Sequence, residues 1–365
     1  MRARVCALVA AIGLAAQPAF AQADRTAATF WKSVQAACDA SAAKPAGELG
    51  RRIAQTAIEE FTRFGGHRID SSGRLFRFGL TEAEQEESEG GHQEASLGRL
   101  GWWQVMKYWR SLYGDDSAGK LEVLGYRDAS TLTKETQVAP RLRTDAARLV
   151  RAADGVSDPL AREVLREAAF RAAVMDTGWS AAFVSYVVRH AGAAPGAFVF
   201  ANAHRAYIYD AFETSAAELA GKAGERIYRA CPVTTTRPRV GDLICHQRET
   251  ALAGHSDEAV RERIRAEIKS GGARTVRRTH CDVIAYVDAS ARKMYVIGGN
   301  VYQAVSTRKL YLRNDLKFSA AQMGQCGGSR HWTLPQPAAQ AAHPPGHADN
   351  CSLNDRKWFV LLQLR

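Results

Sequence analysis

Apolar positions along the chain follow two periods in turn. In the first half they recur every three to four residues. Ile53, Ala57, Ile58 and Phe61 lie on one stripe, so Leu49 to Phe64 reads as an amphipathic helix stopped by Gly65-Gly66. Thr26 to Ala40 reads as a helix before it, and Trp102 to Tyr113 as an aromatic-rich helix suited to a core. Pro159 to Met175 is a further helix, interrupted by Asp176-Thr177-Gly178 and followed by Trp179 to His190, which Gly192 closes. Residues 198–230 are mixed, with Tyr207 to Leu219 helical. Residues 255–269 form a charged amphipathic helix ended by Gly271-Gly272.

The strand period dominates afterwards. Arg74 to Phe78 is a short early strand, and Val240 to Cys245 follows Pro238. Cys281 to Val287, Met294 to Ile297 and Ala304 to Leu312 come next, with Gly298-Gly299-Asn300 expected to turn between the last two. Lys357 to Leu364 reads as a final strand. The acidic, Gly-rich stretch 81–97, residues 114–140 and the Pro/Ala/His-rich stretch 333–350 read as loops. There is no internal repeat. Helices first and an antiparallel meander second predict an α+β fold.

The N-terminus changes where the chain is expected to work. Arg2 and Arg4 precede an apolar run, Val5 to Ala16, and Ala19-Phe20-Ala21 is a small-x-small cleavage site. Residues 1–21 therefore read as a secretory signal, 22–150 as a mainly helical region and 151–365 as the second domain. The expected location is periplasmic or secreted. No later run has the ~18 consecutive apolar residues of a membrane span. Six cysteines follow the signal: Cys38, Cys231, Cys245, Cys281, Cys326 and Cys351. In an oxidising compartment an even number predicts disulfides, but sequence alone fixes no pairing among the 15 connectivities that six thiols allow. Cys245 and Cys281 could pair if their strands are neighbours. The formal charge of +11 favours anionic partners, with an envelope polymer such as peptidoglycan the expected one. Nothing resembles a nucleic-acid-reading module.

Three motifs could carry chemistry. Gly178-Trp179-Ser180-Ala181-Ala182-Phe183 places Ser180 at a helix start, where unpaired backbone N–H groups and the helix dipole can stabilise an oxyanion. Thr279-His280-Cys281-Asp282 opens an apolar strand with a candidate general base, and Asp282 shares the face of His280. Gly298-Gly299-Asn300 supplies an amide that could orient the imidazole. Cys245-His246 and His280-Cys281 would offer zinc two sulfurs and two nitrogens. Adjacent strand residues face opposite ways, so no metal and no cofactor is expected. Arg274, Arg277 and Arg278, just before His280, read as a solvated loop or as attraction for an anion.

Trp179 to Ser185 resembles the Trp-Cys-Ala-Ala-Phe-type nucleophile helix of the CHAP and NlpC-like cell-wall amidases. Pro238-x-x-Gly241-Asp242-Leu243 resembles their Pro-x-x-Gly-Asp-Leu strand. The ordered set over residues 150–315 is similar to an uncharacterised bacterial branch of that superfamily, domain of unknown function 2272. The resemblance implies a papain-like core with an antiparallel sheet. It also implies hydrolysis of amide or ester bonds in the envelope, with Ser180 as nucleophile, His280 as base and Asn300, or Asp282, as orienter. Tyr207 and Trp179 would line the site. Ser180 stands where those enzymes carry cysteine. A serine hydroxyl stays protonated at neutral pH without a strong base, so a silent binding protein of the same fold is the alternative.

Overall fold

The computed structural model describes residues 19–71, 73–83, 100–126, 141–252, 254–319 and 353–365. Most of the expected signal lies outside them; its last residues, 19–21, open the first helix. The loop at 333–350, Cys326 and Cys351 also lie outside, as does most of the acidic stretch.

Among the described residues the chain is α+β, with eight α-helices and a mixed eight-stranded sheet. The strands are β1 (His67–Ile69), β2 (Leu75–Arg77), β5 (Tyr228–Pro232), β6 (Leu243–Gln247), β7 (Thr279–Asp288), β8 (Lys293–Val301), β9 (Ala304–Tyr311) and β10 (Lys357–Leu364), in the spatial order β2-β1-β9-β8-β7-β6-β10-β5. Strands β6 to β9 form the expected antiparallel meander. β10, from the end of the chain, inserts between β6 and β5. β1 joins β9 in parallel, which makes the sheet mixed. In a separate antiparallel pair, β3 (Glu122–Tyr126) lies inside the stretch 114–140 expected to be a loop and β4 (Arg141–Asp145) just after it.

The helices are α1 (Ala19–Ala42), α2 (Glu48–Arg63), α3 (Gly101–Tyr113), α4 (Ala146–Ala153), α5 (Pro159–Asp176), α6 (Ser180–His190), α7 (His204–Leu219) and α8 (Asp257–Ser270). Local chemistry sets several ends. The Asp158 side chain accepts from the N–H groups of Leu160 and Ala161, with Pro159 at the first position of α5. Ser256 caps α8 and Gly271, in the left-handed region, ends it.

The alternation of β7 divides the core. Cys281, Val283 and Ala285 pack with Phe183, Val184 and Val187 of α6, and with Ile53, Trp102 and Trp109 of the preceding helices. Ile284 lies on the other face with Met294, Val296, Trp358 and, from α1, Val34 and Cys38. The N-terminal region thus contributes strands to the sheet and side chains to both clusters.

Two disulfides lock this arrangement. Cys245 and Cys281 are directly opposed on β6 and β7 and are bonded. Cys38 of α1 is joined to Cys231 of β5, 193 residues away. Such bonds fit an oxidising compartment outside the cytoplasm. No helix among the described residues is long and apolar enough to cross a membrane.

Candidate functional site

Ser180 is the first residue of α6, half-buried, with the buried Trp179 before it. The Trp179 ring stacks on Phe64 at 5.9 Å, and its indole N–H donates to Glu82. Burial pushes the Glu82 carboxyl up to about 7. Trp179 therefore acts as a buried anchor that fixes the start of α6.

The Ser180 hydroxyl does not meet His280. Its oxygen lies 2.7 Å from Nε2 of His204, the first residue of α7. The other ring nitrogen, Nδ1, accepts the Cys281 backbone N–H at 3.2 Å, and the Tyr207 hydroxyl donates to it as well. A neutral imidazole carries one proton. With Nδ1 engaged as acceptor, that proton sits on Nε2 and is donated to Ser180. Burial, then the nearby His280 and Arg248, holds His204 well below the usual imidazole range, so the ring is neutral.

His280 and Asp282 share the sheet face opposite α6, the face of Ile284. His280 Nε2 donates to Asp282 Oδ1 at 2.7 Å, and Arg308 of β9 holds Asp282 Oδ2 at 3.0 Å. All three are buried. The pairing of His280 with Asp282 follows from their i, i+2 spacing on a regular strand. His280 Nδ1 has no hydrogen-bond partner among the described residues, and neither has His246 Nε2. The His280 ring lies 4.8 Å from His204 and 5.2 Å from His246, centroid to centroid. Burial is the largest cause holding both His246 and His280 well below the usual range. A polar chain therefore runs from the half-buried Ser180 through His204 and His280 to Asp282 and Arg308, in which the step from His204 to His280 is a ring contact without a hydrogen bond among the described residues.

Asn300 makes no hydrogen bond to His280 among the described residues. It sits in β8 with φ of 52°, beside the bulge where the register with β9 shifts, and its side chain lines a cavity. The run Gly298-Gly299 is part of β8 instead of the expected turn. Both glycines are needed because their two faces are occupied. A β-carbon on Gly298 would fall on the Asp282 carboxylate and 3.0 Å from His280 Nε2. One on Gly299 would lie 2.5 Å from Phe183 Cβ.

Sequence reasoning missed His204 and Arg308 as members of this chain. His204 was legible as the i−3 neighbour of Tyr207, on the same helical face. Arg308 carried no such signal, because it stands beside Lys309 after Ser306-Thr307 in a strand of mixed polarity. Arg274 pairs with Glu213, while Arg277 and Arg278 are exposed. Among the described residues no three His, Cys, Asp or Glu side chains converge as metal ligands, and the two sulfurs considered for zinc are joined to each other.

No curated protein and no solved structure matches the chain. A family of uncharacterised proteins conserved in bacteria, DUF2272, matches residues 98–364. That span includes Ser180, His204, His280, Asp282, Asn300 and Arg308, and the chain belongs to that family.

Proposed function

We propose that this is an envelope-facing binding protein in which Ser180 serves as a hydrogen-bond donor to a ligand rather than as a nucleophile. The observation that supports this is the Cys281 N–H to His204 Nδ1 hydrogen bond. It leaves Nε2 protonated, so Ser180 Oγ accepts from His204 and keeps its own proton. That proton, with the free N–H groups at the start of α6, suits a carbonyl or carboxylate oxygen on an envelope polymer such as a peptidoglycan peptide. The papain-like relationship stays part of this proposal. It rests on the order of the nucleophile-type helix, the Gly241-Asp242-Leu243 strand and the His280 strand.

A second reading is hydrolysis of amide or ester bonds in the envelope. The 2.7 Å contact of a serine with an imidazole at a helix start favours it. Catalysis would require the His204 proton to move to Nδ1, displacing the Cys281 N–H from its acceptor. His204 would then take the Ser180 proton as the hydroxyl attacks the carbonyl, and return it to the leaving amine or alkoxide as the carbonyl–leaving-group bond breaks.

The test is turnover of purified peptidoglycan and simple acyl esters, with a serine-directed phosphonate probe run in parallel. The expected result is no turnover and no labelling of Ser180, with retention on peptidoglycan that weakens in Ser180→Ala, which lacks the donor hydroxyl. Turnover that disappears in Ser180→Ala overturns the binding reading and establishes a serine hydrolase. Activity gained only in Ser180→Cys marks a retired amidase site.

A further inference from the structure

A second feature at this end of the sheet is not used by Ser180. A cavity of about 400 Å³ opens where β6, β8 and β10 begin or end. It is lined by Gln247 and Arg248, by Asn300 to Tyr302, by Arg308, and by Asp355 to Lys357. Its size is at the lower end of small-ligand sites.

Its chemistry is one-sided. Arg248, Arg308, Arg356 and Lys357 line it against a single carboxylate, Asp355. Arg308 is matched by Asp282 behind the wall. Four cations less two carboxylates leave two positive charges unmatched. Arg248, Arg356 and Lys357 form no ion pair with a described carboxylate. Among the described residues the Arg356 side chain donates to the Asp355 backbone oxygen alone, at 2.9 Å. Arg308 is 3 % exposed, and its Nε has no hydrogen-bond partner among the described residues. Arg308 therefore lines the cavity as a buried guanidinium that is not fully hydrogen-bonded, a costly state that an oxygen ligand on its remaining N–H groups would offset.

We propose that this cavity binds a small organic dianion whose oxygens are taken by the guanidinium groups of Arg308, Arg248 and Arg356. Guanidinium forks pair in plane with phosphoryl and carboxylate oxygens alike. The shared chemistry is therefore an oxyanion of charge −2, supplied as a phosphate monoester or as paired carboxylates. The Asn300 carboxamide at the wall is placed to read a neutral polar substituent. Arg308 touches both the cavity and Asp282, so occupation is felt at the His280–Asp282 pair. This deepens the binding reading above and rests on it for the envelope origin of the ligand.

Calorimetric titration of the mature chain with inorganic phosphate, glycerol 3-phosphate and glutarate, at constant chloride, tests the site and separates the two sources. We expect saturable one-to-one binding of at least one probe. It should be roughly tenfold weaker in Arg248→Gln and in Arg356→Gln, as expected for loss of one charge-assisted hydrogen-bond donor. It should be unchanged in Arg171→Gln, which removes an exposed arginine of α5 outside the cavity, and the His280 ring signals in NMR should move with the same midpoint. Arg308 is left intact because it also clamps Asp282. No saturable heat from any probe overturns the proposal, as does equal binding by wild type and both arginine variants. Probe binding without peptidoglycan binding supports the cavity and rejects the envelope-polymer reading. Peptidoglycan binding that ignores both arginine variants and every probe rejects the cavity and keeps that reading.

Discussion

The Asp282 carboxylate occupies the space that a side chain on Gly298 would fill. A β-carbon there would overlap Asp282 Oδ1 and lie 3.0 Å from Asp282 Cγ. Gly298→Ala must therefore displace a buried carboxylate that holds His280 on one side and Arg308 on the other. Overpacking together with a disturbed buried ion pair should cost about 3 kcal/mol. Gly178→Ala meets nothing within 4 Å and should change stability by less than about 0.5 kcal/mol. Urea unfolding of both variants measures the difference, and equal midpoints would remove the packing role assigned to Gly298.

The proton on His204 is assigned by its neighbours. Cys281 N–H and Tyr207 O–H both point at Nδ1, so Nε2 is the protonated nitrogen. Long-range ¹H–¹⁵N spectra at neutral pH should show a pyrrole-type Nε2 and a pyridine-type Nδ1 for this ring. Tyr207→Phe should leave the assignment unchanged, because the backbone donor remains. A protonated Nδ1 would instead put the lone pair on Ser180 and favour hydrolysis.

The two disulfides close loops of different length, with separations of 36 and 193 residues. Loop-closure entropy gives about 4 kcal/mol for the shorter and about 5 kcal/mol for the longer. Cys38→Ala/Cys231→Ala should therefore lower the denaturation midpoint at least as much as Cys245→Ala/Cys281→Ala. The second pair should also disturb Ser180, since the Cys281 backbone fixes His204. Circular dichroism melts of both double variants, with the His204 ring nitrogen signals of the second, check the order and the coupling.

Buried titratable groups give opposite pH signatures. Glu82 is raised from 4.5 to about 7 by burial. The folded chain thus holds a proton there that the unfolded chain releases. Its contribution is fully present below pH 4.5 and is lost as the pH rises through 7. Glu82→Gln, which keeps an acceptor for Trp179, should gain stability relative to wild type as pH climbs from 5 to 8. The gain should accrue at up to about 1.4 kcal/mol per pH unit. His246 is depressed well below 6.5 by burial, then by His280. Its contribution is present above 6.5 and lost as pH falls, because the unfolded ring takes a proton that the folded ring refuses. His246→Phe should therefore lose less stability than wild type below pH 6.5. Melts from pH 5 to 8 in which both variants run parallel to wild type would contradict these assignments.

The helices and the meander were legible because each element carries its own period. Ile53, Ala57 and Phe61 mark one helical stripe, and Cys281, Val283 and Ala285 one strand face. Strand alternation likewise put His280 beside Asp282 before any tertiary information. The bond between Cys245 and Cys281 required one further step, that β6 and β7 be neighbours. The glycines at 298–299 looked like a turn because local sequence records their freedom and not what presses against them. Asp282 and Phe183, on opposite faces, supply the reason only once β7, β8 and α6 are packed. The partner of Ser180 was likewise beyond reach. The start of α7 comes to the start of α6 through packing between elements 24 residues apart, and the Cys281 N–H that selects the His204 tautomer comes from β7, 77 residues downstream. Composition and period determined which elements form and which faces they bury. Tertiary structure decided which side chains meet, because a hydrogen bond depends on ångström-scale placement that no one-dimensional pattern encodes.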